Sequence, residues 1–143
     1  MIRKQTPGDR DQIARIWLDT NLKAHDFVPA AYWKGNFEAV REMLSQAEIY
    51  LYEAEAEGGI LGFMGLDGDY IAGIFVSETA QSKGIGSQLI QFAKSIRNQL
   101  ELRVYVKNTG AIRFYERAGF QISHEGTDEA TGEKEYFMVW KQS

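Results

Sequence analysis

Apolar residues recur along the chain with two periods, and the switch between them marks its elements. Ile13, Ile16 and Trp17 share one helical face, and Thr6-Pro7-Gly8-Asp9 ahead of them has the hydroxyl cap and early proline of a helix start. Residues 2–5 fit a short strand before it. A break over residues 24–29 precedes a second helix, in which Trp33, Phe37, Val40 and Leu44 recur at spacings of four and three. The pattern then shortens to strands at 49–54, 60–66 and 70–76, separated by Glu57-Gly58-Gly59 and Asp67-Gly68-Asp69, which predicts an antiparallel meander. Lys83-Gly84-Ile85-Gly86 turns into a helix with the stripe Leu89, Ala93, Ile96 and Leu100. Residues 102–106 read as a fifth strand. A helix over 109–118 follows, with Ala111, Phe114, Tyr115 and Ala118 on one face and Gly119 as its C-cap. Strands at 120–123 and 136–140, joined by a polar loop over 126–134, complete the chain. The order β-α-α-β-β-β-α-β-α-β-β contains two strand-helix-strand units, which require some parallel pairing. The predicted fold is α+β: a twisted mixed sheet of about seven strands flanked by about four helices.

A length of 143 residues fits one domain spanning 1–143, and 44% apolar with 13% aromatic residues supply a sizeable core. There is no cysteine, so disulfides, thiolate zinc sites and a catalytic thiol are excluded, and any thiol chemistry must come from a bound group. No metal site is expected. The net charge of −4 argues against a dominant nucleic-acid or anionic-membrane role. The first residues, Met1-Ile2-Arg3-Lys4-Gln5, lack the apolar core of a leader, and no apolar run approaches the ~20 residues of a membrane helix. A cytoplasmic protein is expected.

The stretch from Val76 to Leu89 carries the most chemistry, because a strand ends there, a polar turn follows and a helix begins. Amides at a helix start lack intrahelical partners, and the helix dipole adds about half a positive charge, so main chain alone can hold a diphosphate. Glycines at 84 and 86 let backbone approach, and Lys83 can add a charge-assisted contact. Two glycines opening a helix also serve ordinary capping and packing. The nucleotide alternatives fit less well: no lysine stands between Gly86 and Ser87, and Leu89 holds the position of a dinucleotide fingerprint's third glycine.

Gln81-x-x-Gly84-x-Gly86 after a strand resembles the Gln/Arg-x-x-Gly-x-Gly/Ala signature of the GNAT superfamily, the Gcn5-related N-acetyltransferases. A second block, Asn108-x-x-Ala111-x-x-Phe114-Tyr115-x-x-x-Gly119-Phe120, is similar to that superfamily's Asn-x-x-Ala-x-x-Phe-Tyr-x-x-x-Gly-Phe segment. With the same element order, the likeness covers essentially the whole chain.

The resemblance implies the GNAT fold, with acetyl-coenzyme A as cofactor. Its diphosphate would sit on the amides of Gln81, Ser82, Lys83, Gly84, Ile85, Gly86 and Ser87. Its pantetheine arm would lie along Ile74, Phe75 and Val76, where the fourth and fifth strands splay. Asn108 would contact that arm, and it also reads as N-cap of the following helix. Tyr115 is either a core aromatic or the acid that protonates the leaving thiolate, since a phenol of pKa ~10 is protonated at neutral pH. An N–H near Phe75 or Val76 would hold the oxyanion. For deprotonating the amine, Glu53, Asp67, Asp69, Glu78, His25 and a water chain stand as alternatives.

Ala24-His25-x-Phe27 followed by Tyr32-Trp33 is similar to small bacterial superfamily members of the YiaC and YjaB type, some of which acetylate protein lysines. This implies an acceptor pocket between His25, Phe27 and Tyr32 and the start of the fourth strand at Tyr70. His25 also reads as a turn residue and Phe27 as a staple for the second helix. The expected activity is acetyl transfer to a primary amine: a small amine, a peptide N-terminus or a protein lysine. An idle acyl-CoA-binding domain or a structural subunit are the alternatives, and the presence of Tyr115 favours the enzyme. Either a monomer or a homodimer fits.

Overall fold

The computed structural model describes residues 1–54 and 59–143; Glu57 and Gly58, read as part of a strand-connecting turn, lie outside the described residues. Seven strands form one sheet in the order β1-β2-β3-β4-β5-β7-β6. They are β1 (Ile2–Lys4), β2 (Glu48–Glu53), β3 (Ile60–Asp67), β4 (Tyr70–Val76), β5 (Gln99–Tyr105), β6 (Gln121–Thr127) and β7 (Lys134–Lys141). The helices are α1 (Arg10–Ala24), α2 (Ala30–Gly35), α3 (Phe37–Gln46), α4 (Ile85–Ile96) and α5 (Thr109–Arg117). None is long and apolar enough to cross a membrane.

Thr6 and Pro7 open a 3₁₀ turn over Pro7–Asp9, and α1 follows from Arg10, three residues later than the helix start expected there. The Asp9 carboxylate accepts the Thr6 N–H at 2.8 Å and takes a two-pronged contact from Arg3 at 2.8 and 3.0 Å. Arg3 also reaches Glu53 at 2.8 Å, so one guanidinium ties β1 to the start of α1 and the end of β2. That pairing pulls the Asp9 pKa down to about 2.

The helix expected across Trp33 to Leu44 is broken at Asn36, whose side-chain amide donates to the Tyr32 carbonyl at 2.7 Å. Asparagine competes with the helix for backbone partners, and after Gly35 it divides the segment into α2 and α3. Leu100 leaves the predicted helical stripe for β5, where it is 1% exposed. Alternation of Leu100, Leu102 and Val104 with Gln99, Glu101 and Arg103 sets the period there, and Arg97 is already extended. The last two strands are longer than predicted and reach the polar loop only at its ends, at Gly126 and Thr127 and at Lys134. β6 is an edge strand with a largely exposed surface, so it needs few apolar residues to form.

One face of the sheet buries Met64, Ile71, Leu102 and Met138 under Leu89 and Ile90 of α4 and Tyr115 of α5. The other packs Ile49, Leu51 and Phe63 against Ile13 of α1, with Leu18, Val28 and Trp33 forming a separate cluster. β4 and β5 are parallel but pair only at Tyr70–Glu101 and Ile71–Leu102, after which they diverge. The split leaves the end of β4 without a partner on that side. The Ser77 N–H bonds the Leu61 carbonyl at 2.8 Å, and Phe75 lies opposite Phe63 in the same register. Antiparallel pairs alternate, so Phe75 is committed to β3 while Ile74 and Val76 turn their amides into the split. The Val76 carbonyl agrees with this, since it accepts the Gln81 side-chain amide at 3.0 Å.

Candidate active site

Two cavities meet at the split. One, of about 570 Å³, runs from the turn before α4 along Gln81, Ser82, Gly84, Ile85, Gly86 and Ser87 to Ile74 and Val76. The other, of about 350 Å³, opens on the α1–α2 face between Trp17, His25, Trp33, Tyr70, Tyr105, Asp128 and Glu135. Ile74, Asn108, Ala111 and Tyr115 line both.

The turn presents donors by conformation. Ser82 and Gly84 have φ of 65° and 80°, left-handed backbone that turns the chain sharply into the start of α4. The first helical bond runs from the Gln88 amide to the Gly84 carbonyl at 3.0 Å, so Ile85, Gly86 and Ser87 have no backbone partner among the described residues. Among the described residues the cavity wall contains no carboxylate, and Arg117 stands on it while the exposed Lys83 does not. Free amides, a helix N-terminus and one guanidinium fit a diphosphate. A Cβ on Gly84 would meet nothing, so its glycine answers the backbone angle. A Cβ on Gly86 would meet the Phe114 ring at 3.3 Å, which makes that glycine an α4–α5 packing residue as well as a turn residue.

Tyr115 is both buried and placed at the junction. It is 8% exposed, packed edge-on between Phe114 and Phe120 at centroid distances of 5.1 and 5.7 Å. Burial, with a smaller effect from Tyr70, pushes its pKa above the ordinary tyrosine value, so the phenol holds its proton. Asn108 also satisfies two readings. Its Oδ1 accepts the Ala111 N–H at 3.2 Å as an N-cap, which turns Nδ2 to donate to His25 Nε2 at 3.0 Å. His25 must then carry its proton on Nδ1, which donates to Asn21 Oδ1 at 2.8 Å. Burial lowers the imidazole pKa to about 4, and both nitrogens are occupied.

A family model for the acetyltransferase (GNAT) domain matches residues 45–122, which include both the turn and Tyr115. The chain belongs to the GNAT acetyltransferase family. This GNAT chain is 32% identical over 142 residues to the peptidyl-lysine N-acetyltransferase YiaC of Escherichia coli, covering 98% of the chain and 96% of the relative. To the peptidyl-lysine N-acetyltransferase YjaB of Salmonella typhimurium it is 27% identical, over 85% and 83% of the two chains. In fold it matches the solution structure of apo YjaB from Escherichia coli with a TM-score of 0.89, covering 100% and 98% of the two chains at 23% identity. It is therefore an N-acetyltransferase of the GNAT fold.

Among the GNAT acceptor-side candidates, His25 and Tyr70 line the smaller cavity. Phe27 and Tyr32 stand behind it. Phe27 packs edge-on to His25 and Tyr105, each at 5.6 Å, and Tyr32 packs edge-on to Trp33 at 4.9 Å. Of the suggested bases, Glu53 is held by Arg3, Glu78 pairs with Lys23 on the surface, and Asp69 accepts from Gln99 at 3.0 Å beside Asp67 in the β3–β4 turn. None of these four lines the smaller cavity. The acids that do, Asp128 and Glu135, were hidden in what read as a polar loop and its flank. The available signal was alternation: Glu135 shares the phase of Phe137 and Val139. Asn21, buried and one helical turn before His25, was missed as well.

Proposed function

We propose that this GNAT enzyme transfers the acetyl group of acetyl-CoA to the side-chain amine of a peptide or protein lysine by direct attack on the thioester. The observation that carries this is the shared wall: Tyr115 stands between a cavity rich in free amides and one walled by aromatic rings and two carboxylates. The first suits the coenzyme and the second a cation on an apolar stem. Two curated relatives bear the name peptidyl-lysine N-acetyltransferase, which supports lysine over a small amine or a peptide N-terminus.

When bound, acetyl-CoA supplies the acyl carbon and a thiolate leaving group. The amides of Ile85, Gly86 and Ser87, with Gln81, Ser82, Gly84 and Arg117, would hold its diphosphate, and Ile74 and Val76 would bond its pantetheine arm as an added strand. Lys83 can add only long-range attraction from its exposed position. Of the two amides directed into the split, the Ile74 N–H stands where the cavities meet and is the donor for a developing oxyanion, while the Val76 N–H lies on the coenzyme side and the Phe75 N–H is spent on β3. Tyr115 gives its proton to the departing sulfur. Asn108 aligns the start of α5, and so Tyr115, while fixing His25. The same reading places the reaction in the cytoplasm.

Purified protein with acetyl-CoA against lysine peptides, free N-terminal peptides and polyamines tests the proposal, with thiol release and mass spectrometry as readouts. Acetylation at lysine Nζ is the expected result. Modification of polyamines or N-termini alone would overturn the lysine assignment.

A further inference from the structure

An acceptor amine meets a difficulty before it can react. A lysine of pKa ~10.4 enters as an ammonium, and its nitrogen pair is unavailable until a proton leaves. His25 has both nitrogens occupied and Tyr115 holds its own proton. Among the described residues two carboxylates, Asp128 and Glu135, remain in the cavity. Asp128 is already stabilised by partners, since its Oδ2 accepts the Tyr105 hydroxyl at 2.6 Å and its Oδ1 the Ala130 N–H at 3.0 Å, which makes it the weaker base of the two.

Glu135 is different. It is 5% exposed and accepts no hydrogen bond among the described residues; its counter-charge is Arg103, 3.8 Å away. That guanidinium is half exposed and leans over the Phe137 ring at 4.8 Å, so it is a loose partner. The sheet puts the carboxylate there: Glu135 lies opposite Tyr105 on β5 and Gly126 on β6. Opposed residues of an antiparallel pair share a face, so it looks away from the apolar Leu102–Met138 side. Among the described residues, Arg103 and Tyr105 from β5, Tyr70 from β4, Tyr115 from α5, Asp128 from the β6–β7 connection and His25 from the end of α1 are the other titratable or charged groups around the same cavity. With His25 and the tyrosines neutral, one arginine against two carboxylates leaves one negative charge. A carboxylate largely withdrawn from bulk water, with one loose counter-ion, is costly, and a single ammonium would offset that cost.

We propose that Glu135 binds the acceptor's ammonium and takes its proton, which makes it the general base of this enzyme; the assignment rests on the amine-acetylation reading above. The N–H bond breaks, its electron pair stays on nitrogen, and the proton passes to a Glu135 oxygen and then to solvent through the cavity mouth. The neutral amine left behind is the nucleophile. Trp17, Trp33 and Tyr70 wall the stem.

The test is Glu135→Gln, followed by kcat/KM for a lysine peptide against pH and by tryptophan quenching on binding the same peptide with coenzyme A present. The expected loss at neutral pH is ~10²–10⁴-fold, the usual contribution of a positioned base, recovering as pH approaches lysine's own pKa. Peptide affinity falls about tenfold or more, whereas the thermal shift with acetyl-CoA is unchanged. Glu135→Asp keeps a carboxylate and retains the acidic limb of the profile, which decides the matter if the Gln variant misfolds. Rates within about twofold of the parent across pH 6–9, with equal peptide affinity, overturn the assignment, as does loss of the acidic limb in a folded Asp variant. An unmodified protein that acetylates no lysine peptide refutes the functional reading itself; an active one indifferent to Glu135→Gln refutes only the base.

Discussion

The side chains around the split are set by competing demands, and single substitutions separate them. Tyr115 packs as a core ring and presents a protonated phenol, so Tyr115→Phe keeps the packing and removes the proton. The expected outcome is a kcat loss of ~10²–10⁴-fold with acetyl-CoA affinity nearly unchanged, read from steady-state rates and a binding titration. His25 offers a pH signature. Its folded pKa of about 4 lies below the ordinary 6.5, so the unfolded chain binds the proton first. Stability from this group is complete above pH 6.5 and falls as pH drops toward 4. Urea unfolding at stepped pH checks this, and His25→Gln should flatten the slope across that window. Glu135 has the opposite sign. Burial raises its pKa, so its ionisation works against folding as pH rises. Glu135→Gln should therefore leave melting temperature at neutral pH equal or higher while activity falls, a combination that a merely structural carboxylate would not give.

At the scale of elements, the turn before α4 divides labour between its two glycines. Gly84 sits at φ 80° with open space where a Cβ would go, so Gly84→Ala meets no clash but takes on ~1–2 kcal/mol of left-handed strain. Its expected effect is a weaker coenzyme-induced thermal shift as the amides turn away. Gly86→Val drives a branched side chain at the Phe114 ring and should lower the melting temperature of the free protein. Scanning calorimetry with and without acetyl-CoA distinguishes the two. Both glycines were legible in the sequence, because a strand, a polar turn and a helix stripe are local patterns. So was Tyr115, through the spacing from Asn108 to Phe120. Glu135 was not. It meets Tyr105 only because β7 inserts between β5 and β6, and nothing local in residues 99–141 fixes that strand order. Arg117 joins the wall of the larger cavity from the far end of α5, and Asn36 breaks a helix whose apolar spacing continues through it. In each case the deciding partner lies elsewhere in the chain or is a backbone group.

The whole molecule is a sheet that opens at one end, and what fills the opening should hold the halves together. Acetyl-CoA at about 100 times its dissociation constant should add ~2.7 kcal/mol of stability. Hydrogen exchange should locate the gain at the Ile74 and Val76 amides, which the fold leaves without a strand partner. The shared wall also bears on the sequence of events in time. Where Ile74, Asn108, Ala111 and Tyr115 line both cavities, the acceptor chamber has no floor until the split is filled. Catalysis should then be ordered, donor first and acceptor second. Initial-rate lines should intersect, desulfo-coenzyme A should compete with acetyl-CoA, and a norleucine peptide should inhibit uncompetitively against it.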